Sequence, residues 1–406
     1  MKYVIWIIRL WYAGWMIPAG LEHFYHIYPQ PGYDTARPLA HEMLFALLHS
    51  HMFDLVKGVE LITGLAVLLG LFTPLILLVG MPVVFCVFWW DAPLADWNWG
   101  SVFAGGRVLI CNILLMVAFI ASYRSMLAVR SQPRTGAPTQ LVLAGRLIFG
   151  AWLFMSGVNH LFFSLWPDPS GQTPLAIELM GAMAHVHLLD VAMMIELVAG
   201  ALILAGVFVP AALCAVMPIS TCALYWSLLD HQPLSLLVGV GAFALNGLLM
   251  LAYLDYYKGL LQRRALTLGE SGHSSTWNAL FVDSQGRTSR GHFVGALIPL
   301  AFAVWSYSHN GPDIYGPWGV LVLLYPALVL HSRRLHDMGH TGWLMLVPGV
   351  LTVVAMGIWT HRIDMGAQLD YAVPLATLVV FVGYAIWGCI GKGQTEANSF
   401  GPSVPA

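Results

Sequence analysis

Charge is what this chain has least of. Only 9% of its 406 residues are Asp, Glu, Lys or Arg, whereas 58% are hydrophobic. Soluble globular proteins carry roughly 25% charged residues, so a water-solvated domain is excluded. Cysteine is nearly as scarce: five residues, Cys86, Cys111, Cys214, Cys222 and Cys389, all inside apolar runs and none in C-x-x-C spacing. That rules out a disulfide framework and a redox dithiol motif. With a formal net charge of -2, nothing in the composition points to a nucleic acid. What the chain has instead is apolar runs of about 20 residues, the length that crosses a bilayer as helix. The reading is a polytopic membrane protein whose first partner is the lipid bilayer. The opening 20 residues look like a signal peptide, but Arg9 interrupts their apolar core and the segment recurs around Arg146. A retained first membrane helix is therefore expected.

The chain repeats itself. Residues 38–74 align without gaps to 174–210, with Pro38, Glu42, His49, His51, Asp54, Glu60, Gly64, Gly70 and Pro74 matching Pro174, Glu178, His185, His187, Asp190, Glu196, Gly200, Gly206 and Pro210. Arg9, Trp15, Gly20 and His23 match Arg146, Trp152, Gly157 and His160, and Asn112 matches Asn246. Each repeat reads as four helices, near 3–25, 53–71, 74–90 and 102–123, then 142–165, 188–207, 210–229 and 234–256. A third region adds four apolar runs near 292–308, 317–331, 342–359 and 372–390. The expected fold class is all-α, with about twelve membrane helices in three four-helix modules, 1–135, 136–261 and 262–406. Glycines 64, 70, 200 and 206 are expected to let helices pack closely.

Lys and Arg in short loops set orientation. Arg124, Arg130 and Arg134 lie in one loop, Lys258, Arg263, Arg264, Arg287 and Arg290 in another, and Arg333 and Arg334 in a third. The alternate loops carry Asp34, Asp91, Asp96, Asp168, Asp230, Asp313 and Asp364. Both termini are thus expected in the cytoplasm, and an even number of helices per repeat makes the repeats parallel.

The doubled pattern H-x-H-x-x-D-x5-E, His49 to Glu60 and His185 to Glu196, concentrates the titratable groups. His-x-His beside a carboxylate offers ligand types that transition metals accept. On a continuous helix, however, His49 and His51 point about 200° apart. His51 and Asp54, at i and i+3, can share one metal or one hydrogen bond, with His23 from the neighbouring helix end. Alternatively, a non-helical turn at 49–51 brings both histidines together. The candidate metal set is therefore His23, His49, His51 and Asp54, with His160, His185, His187 and Asp190; the plainer role is capping and loop hydrogen bonding. Glu60 lies about 13 Å deeper than His51. A carboxylate in a bilayer costs roughly 2.5–3.5 kcal/mol on insertion scales, so Glu60 and Glu196 are candidate proton-handling groups. Pairing with Arg9 or Arg146, or hydrogen bonding to Asn112 or Asn246, are the structural alternatives. Arg9 and Arg146 are expected to snorkel to the cytoplasmic interface.

Two resemblances follow. The sequence Ala19-Gly20-Leu21-Glu22-His23, with Ser156-Gly157-Val158-Asn159-His160, precedes E-x3-G-x5-G at Glu60, Gly64, Gly70 and at Glu196, Gly200, Gly206. Each repeat in this respect resembles a DoxX-like four-helix membrane unit. That resemblance implies membrane redox chemistry, with quinone, haem or a transition metal as cofactor and other membrane redox subunits as partners. The third region carries Gly286, Arg287 and Arg290, then Arg333-Arg334-Leu335-His336-Asp337 followed by Gly339, Gly342 and Trp343, then Asn398, Phe400, Gly401 and Pro402. It resembles bacterial inner-membrane domain-of-unknown-function family 805, which implies a bacterial inner membrane and assigns no activity. Arg333, Arg334, His336 and Asp337 form a candidate site for an anionic headgroup or partner, or else a positive-inside anchor with a charge-paired turn. The residues name no reaction. They leave a redox-associated subunit, a small-solute or ion transporter, and a non-catalytic scaffold as the three classes.

Overall fold

The computed structural model describes residues 2–28, 37–270, 276–310, 316–402 and 404; Asp34 and Asp313 lie outside them. The described chain is helical, with two isolated β-bridges and no strand. The first repeat comprises α1 (Lys2–Tyr25), α2 (Pro38–His49), α3 (Met52–Leu69), α4 (Thr73–Asp91), α5 (Trp99–Ala118) and a single turn, α6 (Ile120–Tyr123). The second comprises α7 (Thr139–Val158), α8 (Pro174–His185), α9 (Leu188–Ala205), α10 (Val209–Asp230) and α11 (Pro233–Ala252). After them come α12 (Thr276–Phe281), α13 (Arg290–Asn310), α14 (Gly316–Asp337), α15 (Leu346–Trp359) and α16 (Ala367–Ile390). Among the described residues, ten helices are long and apolar enough to cross a membrane. Helices α3 and α14 have 18 and 22 residues but carry three charged side chains each: Asp54, Lys57 and Glu60, and Arg333, Arg334 and Asp337.

Small residues set the closest approaches. A Cβ on Gly20 would fall 2.7 Å from Leu61 Cβ, and one on Gly64 2.7 Å from Ile17 Cγ1, so α1 and α3 touch along both glycines. Gly157 and Gly200 do the same for α7 and α9, meeting Leu197 and the Phe154 backbone. Gly70 and Gly206 have a different role from the one expected. They end α3 and α9 in the left-handed conformation, at φ 67° and 73°, where glycine caps a helix without steric cost. Their amides close the last turn onto Val67 and Ile203 carbonyls.

The four-helix reading of each repeat omits one element. Residues 38–49 and 174–185 are helices, not loop, each started by proline at the first position, where its missing N–H costs nothing. Helices α2 and α8 pack on each other through Met43, Ala46, Leu179, Ala182 and Val186 and join the two repeats at one end. The contacts are reciprocal. His49 Nδ1 donates to Glu178 Oε1 at 2.8 Å, and His185 Nδ1 donates to Glu42 Oε1 at 2.7 Å. The opposite end repeats the theme: Phe72 N donates to Arg263 O, and Phe208 N to Val129 O, both at 3.0 Å. Each linker thus binds the turn of the other repeat. Because the His–Glu pairs are half exposed, each contributes at most about 1 kcal/mol, and the apolar contact dominates. Replacing Glu42 and Glu178 together by Gln should lower unfolding stability in detergent by less than about 2 kcal/mol. A larger loss would mean that the ion pairs, not the apolar face, hold the repeats together.

Helices α13 and α14 pack against α1. Tyr307 donates its hydroxyl to Trp11 O at 2.5 Å, and Gly14 leaves room for its ring. Short α12 ties the third region to the turn after α3: Trp277 Nε1 donates to Leu68 O at 2.9 Å and Asn278 Nδ2 to Leu69 O at 3.0 Å.

Candidate functional site

The backbone decides which histidines meet. His49 ends α2, while His51, at φ 57°, adopts the left-handed conformation and starts α3. His185 and His187, at φ 60°, repeat the arrangement. The turn therefore separates the pair: His49 and His185 face the other repeat, and His51 and His187 stay with their own aspartates. Of the two arrangements the sequence allows, the one grouping His23, His51 and Asp54 is realised.

Two imidazoles hold one carboxylate in each repeat. His23 Nε2, from the last turn of α1, donates to Asp54 Oδ1 at 2.6 Å, and His51 Nδ1 donates to Asp54 Oδ2 at 3.1 Å. In the second repeat His160 Nε2 donates to Asp190 Oδ1 and His187 Nδ1 to Asp190 Oδ2, both at 2.8 Å. His160 Nδ1 also faces Asp168 Oδ2 at 2.7 Å. Both nitrogens of that ring face carboxylates, which are satisfied together only when the ring has two protons or one carboxyl is protonated. A single turn of π-helix, Asn159–Phe163, supplies His160. Exposure runs in sequence: the His51 and His187 side chains are 80% and 75% exposed, while those of His23 and His160 are 12% and 13% exposed. Each triad thus leads from solvent into the bundle.

The triads are hydrogen-bonded groups, not coordination spheres. Both oxygens of Asp54 and of Asp190 already accept from ring nitrogens at hydrogen-bond distance, where a shared metal would require the lone pairs to converge on a common point about 2 Å from each. Among the described residues no group of three or more His, Cys, Asp or Glu is arranged to hold a metal ion. His49 and His185 belong to the contacts between repeats and complete neither triad.

Below the triads lie the deep carboxylates, and here the repeats differ. Glu60 is buried, and Lys57 Nζ donates to its Oε2 at 2.8 Å. Sequence reasoning missed Lys57, although its i,i+3 spacing to Glu60 is that of a helical ion pair. The second repeat has Met193 at the matching position, so buried Glu196 has no ammonium beside it. The expected alternatives for these carboxylates are not formed. Arg9, 2% exposed, does not snorkel: it donates to Val67 O at 2.9 Å and Thr73 Oγ1 at 3.2 Å and lies 4.2 Å from the Trp277 ring. It caps the carbonyl end of α3, where a cation meets the negative end of the helix dipole. Asn112 donates to Tyr12 Oη at 3.0 Å and Asn246 to Ser220 Oγ at 3.3 Å.

At the other end, the cluster expected to bind a headgroup is turned inward. Arg334 and Asp337 are 1% and 4% exposed. Asp337 accepts from Arg287 Nε at 3.1 Å and from Arg334 Nη1. Arg287 also holds the carbonyls of Glu396 and Gln394, and Arg334 those of Gly388 and Gly391. Arg333 donates to the carbonyls of Asp283, Gln285 and Arg287. His336 donates to Gly286 O at 3.0 Å and stacks on Phe400 with ring centroids 4.1 Å apart. The guanidinium donors are spent on the chain itself. They fasten the 283–289 segment and the tail after α16 to the end of α14, in place of a lipid headgroup. A cavity of about 580 Å³ opens elsewhere, lined by Trp359, His361, Asp364 and Asp370 among others, and no triad residue lines it.

Residues 281–402 match the family described as "Protein of unknown function (DUF805)". The matched stretch contains Arg287, Arg333, Arg334, His336, Asp337 and Asn398 and bears out the resemblance read from the C-terminal sequence. No curated protein and no solved structure matches the chain. The chain is a membrane protein with apolar helices and a DUF805 region.

Proposed function

We propose that the protein moves protons between one face of a bacterial inner membrane and buried carboxylates in its two related repeats, as a subunit associated with membrane redox chemistry. One observation supports it above the others: in each repeat an exposed imidazole, an aspartate and a largely buried imidazole are hydrogen-bonded in series above a buried glutamate. Such a series passes a proton by exchanging donors and acceptors along it, and neutral imidazole can both take and give one near neutral pH. An intramembrane carboxylate is the natural terminus. The triads would face the periplasm and both termini the cytoplasm, because the basic loops lie at the opposite end. Twelve spans would follow with α3 and α14 included, in units 1–135, 136–261 and 262–406.

The redox association rests on the likeness of the repeats to DoxX-like units. It would bring quinone or haem as the electron-carrying partner, since reduction of a quinone takes up protons with electrons. The triads do not favour a transition metal. The test is reconstitution. Proteoliposomes carrying an internal pH dye should acidify or alkalise under an imposed potential at least tenfold faster than empty vesicles. Glu60→Gln/Glu196→Gln should return the rate to background. Undiminished flux in the double variant would exclude these groups, and an absorption spectrum without haem or quinone would remove the redox association. Ion transport is the second reading, favoured by the unlike surroundings of Glu60 and Glu196.

A further inference from the structure

We infer that the cavity between α15 and α16 is a binding site for an amphiphile bearing a primary ammonium group, held by Asp364, Asp370 and Trp359. The site lies in the DUF805 region, apart from both triads, and is independent of the proton relay.

The chain builds this cavity where α15 ends. A Cβ on Gly357 would fall 2.6 Å from Ile363 Cδ1, so the loop after α15 folds back onto the helix. His361, at φ 54°, lies in the reversal, and the Arg362 and Ile363 amides both donate to Gly357 O, at 2.9 and 3.1 Å. Helix α16 then begins at Ala367 and walls the other side with Asp370 and Pro374. The void of about 580 Å³ falls within the roughly 300–1,000 Å³ typical of small-molecule sites. Arg362 Nη2 donates to Ile27 O at 2.8 Å and His26 O at 3.4 Å. The loop is thereby tied to the end of α1, and the cavity lies at the triad end of the bundle, beside the ends of apolar helices long enough to span a bilayer.

The lining selects the ligand. The loop itself aims the two carboxylates. Asp364 Oδ1 accepts from Gly366 N at 2.9 Å, and Asp370 Oδ1 accepts from Met365 N at 3.0 Å. Those amides are consecutive, so both carboxylates converge on one short stretch of backbone. The second oxygen of each has no hydrogen-bond or ion-pair partner among the described residues. Arg362, the arginine of this loop, does not line the cavity; its guanidinium reaches the carbonyls of His26 and Ile27 instead. His361 lines the cavity as well, and when neutral its ring adds an acceptor. A Cβ on Gly316 would lie 3.5 Å from Trp359 Cη2, so the start of α14 backs the indole. Among aromatic faces, indole attracts a cation best. Two carboxylates are too few to replace the hydration shell of calcium or magnesium. A primary ammonium carries three donors, enough for both carboxylates, and the walls of Ala355, Ile358 and Ile363 take its alkyl body. Two sources present such a group beside a membrane: the headgroup of an amino-phospholipid and a free alkylamine.

The test uses the full chain in detergent at about pH 8, where an alkylammonium keeps its charge, with radiolabelled octylamine as the probe. Expected is saturable binding of about one amine per chain, above partition into micelles, with no competition by octanol or octyl sulfate. Competition by dihexanoylphosphatidylethanolamine and not by dihexanoylphosphatidylcholine would support the site and assign it to a lipid headgroup. Competition by neither lipid, with octylamine still bound, would support it as a site for free amines. Asp364→Asn and Asp370→Asn keep an acceptor oxygen for the loop amides. Each should weaken binding about tenfold or more, through loss of a charge-assisted hydrogen bond, with an unaltered elution profile. Trp359→Leu should weaken it about threefold. No saturable binding, displacement by octanol, or Asp364→Asn/Asp370→Asn binding as the wild type does would overturn the site. Equal competition by the two lipids would also overturn it, since choline has no N–H to donate.

Discussion

Asp337→Ala should cost about 3–5 kcal/mol of unfolding stability in detergent, measured by chemical denaturation of the full chain. Asp337 is the single carboxylate between two guanidinium groups that are themselves buried, Arg287 and Arg334. Removing it leaves two charges without a counterion in a region from which water is excluded. Carbonyls at 388, 391, 394 and 396 would still accept from the two arginines, so the tail should stay attached through hydrogen bonds while charge balance is lost. Asp337→Asn keeps an acceptor oxygen and should fall between the wild type and Asp337→Ala. Arg287→Lys should be harmful although it preserves charge, because an ammonium cannot reproduce the planar fork that serves a carboxylate and two carbonyls together. If Asp337→Ala loses less than about 1 kcal/mol, the size expected of an exposed pair, the network is not the fastening described above.

Lys57→Met should be nearly as damaging. The change gives the first repeat the residue that the second has, Met193. It also removes the ammonium that donates to buried Glu60. Removing one partner of a buried ion pair costs about 3–5 kcal/mol, because the other charge remains unpaired. Lys57→Met/Glu60→Gln should recover most of the loss, since the double change removes the stranded charge. Failure of the second change to rescue the first would show that Lys57 acts through contacts other than Glu60, Glu22 foremost.

Much of this was legible from residues alone. The duplication, the helical class and the third region's family follow from the sequence, because membrane helices announce themselves by length and composition. The limits of α4, α9 and α16 fall within a few residues of the expected ones. What could not be read is what depends on the turn between helices. Whether His49 and His51 act together depends on His51 entering the left-handed conformation, which histidine adopts more readily than most residues but which its presence alone does not fix. Helices α2 and α8, at 12 residues, are too short to register as spans. Their signal was Pro38 and Pro174 before an amphipathic run. Glu42 and Glu178 are visible as identities between repeats, yet their partners are 143 and 129 residues distant, beyond the reach of any helical spacing rule. Likewise, Arg333 and Arg334 read as a lipid-facing basic pair in the sequence, whereas Arg333 spends its donors on the 283–288 segment and Arg334 spends its own on Asp337 and the carbonyls of Gly388 and Gly391.

Proton passage from the triads to the buried carboxylates is tested most directly by infrared difference spectroscopy of the reconstituted protein after a pH jump on the triad side. A carboxyl C=O band should appear or vanish with the jump, be absent in Glu60→Gln/Glu196→Gln, and respond at least tenfold more slowly in His23→Ala/His160→Ala. A band that persists in the double glutamine variant, or one that follows the jump at the wild-type rate without His23 and His160, would contradict the relay.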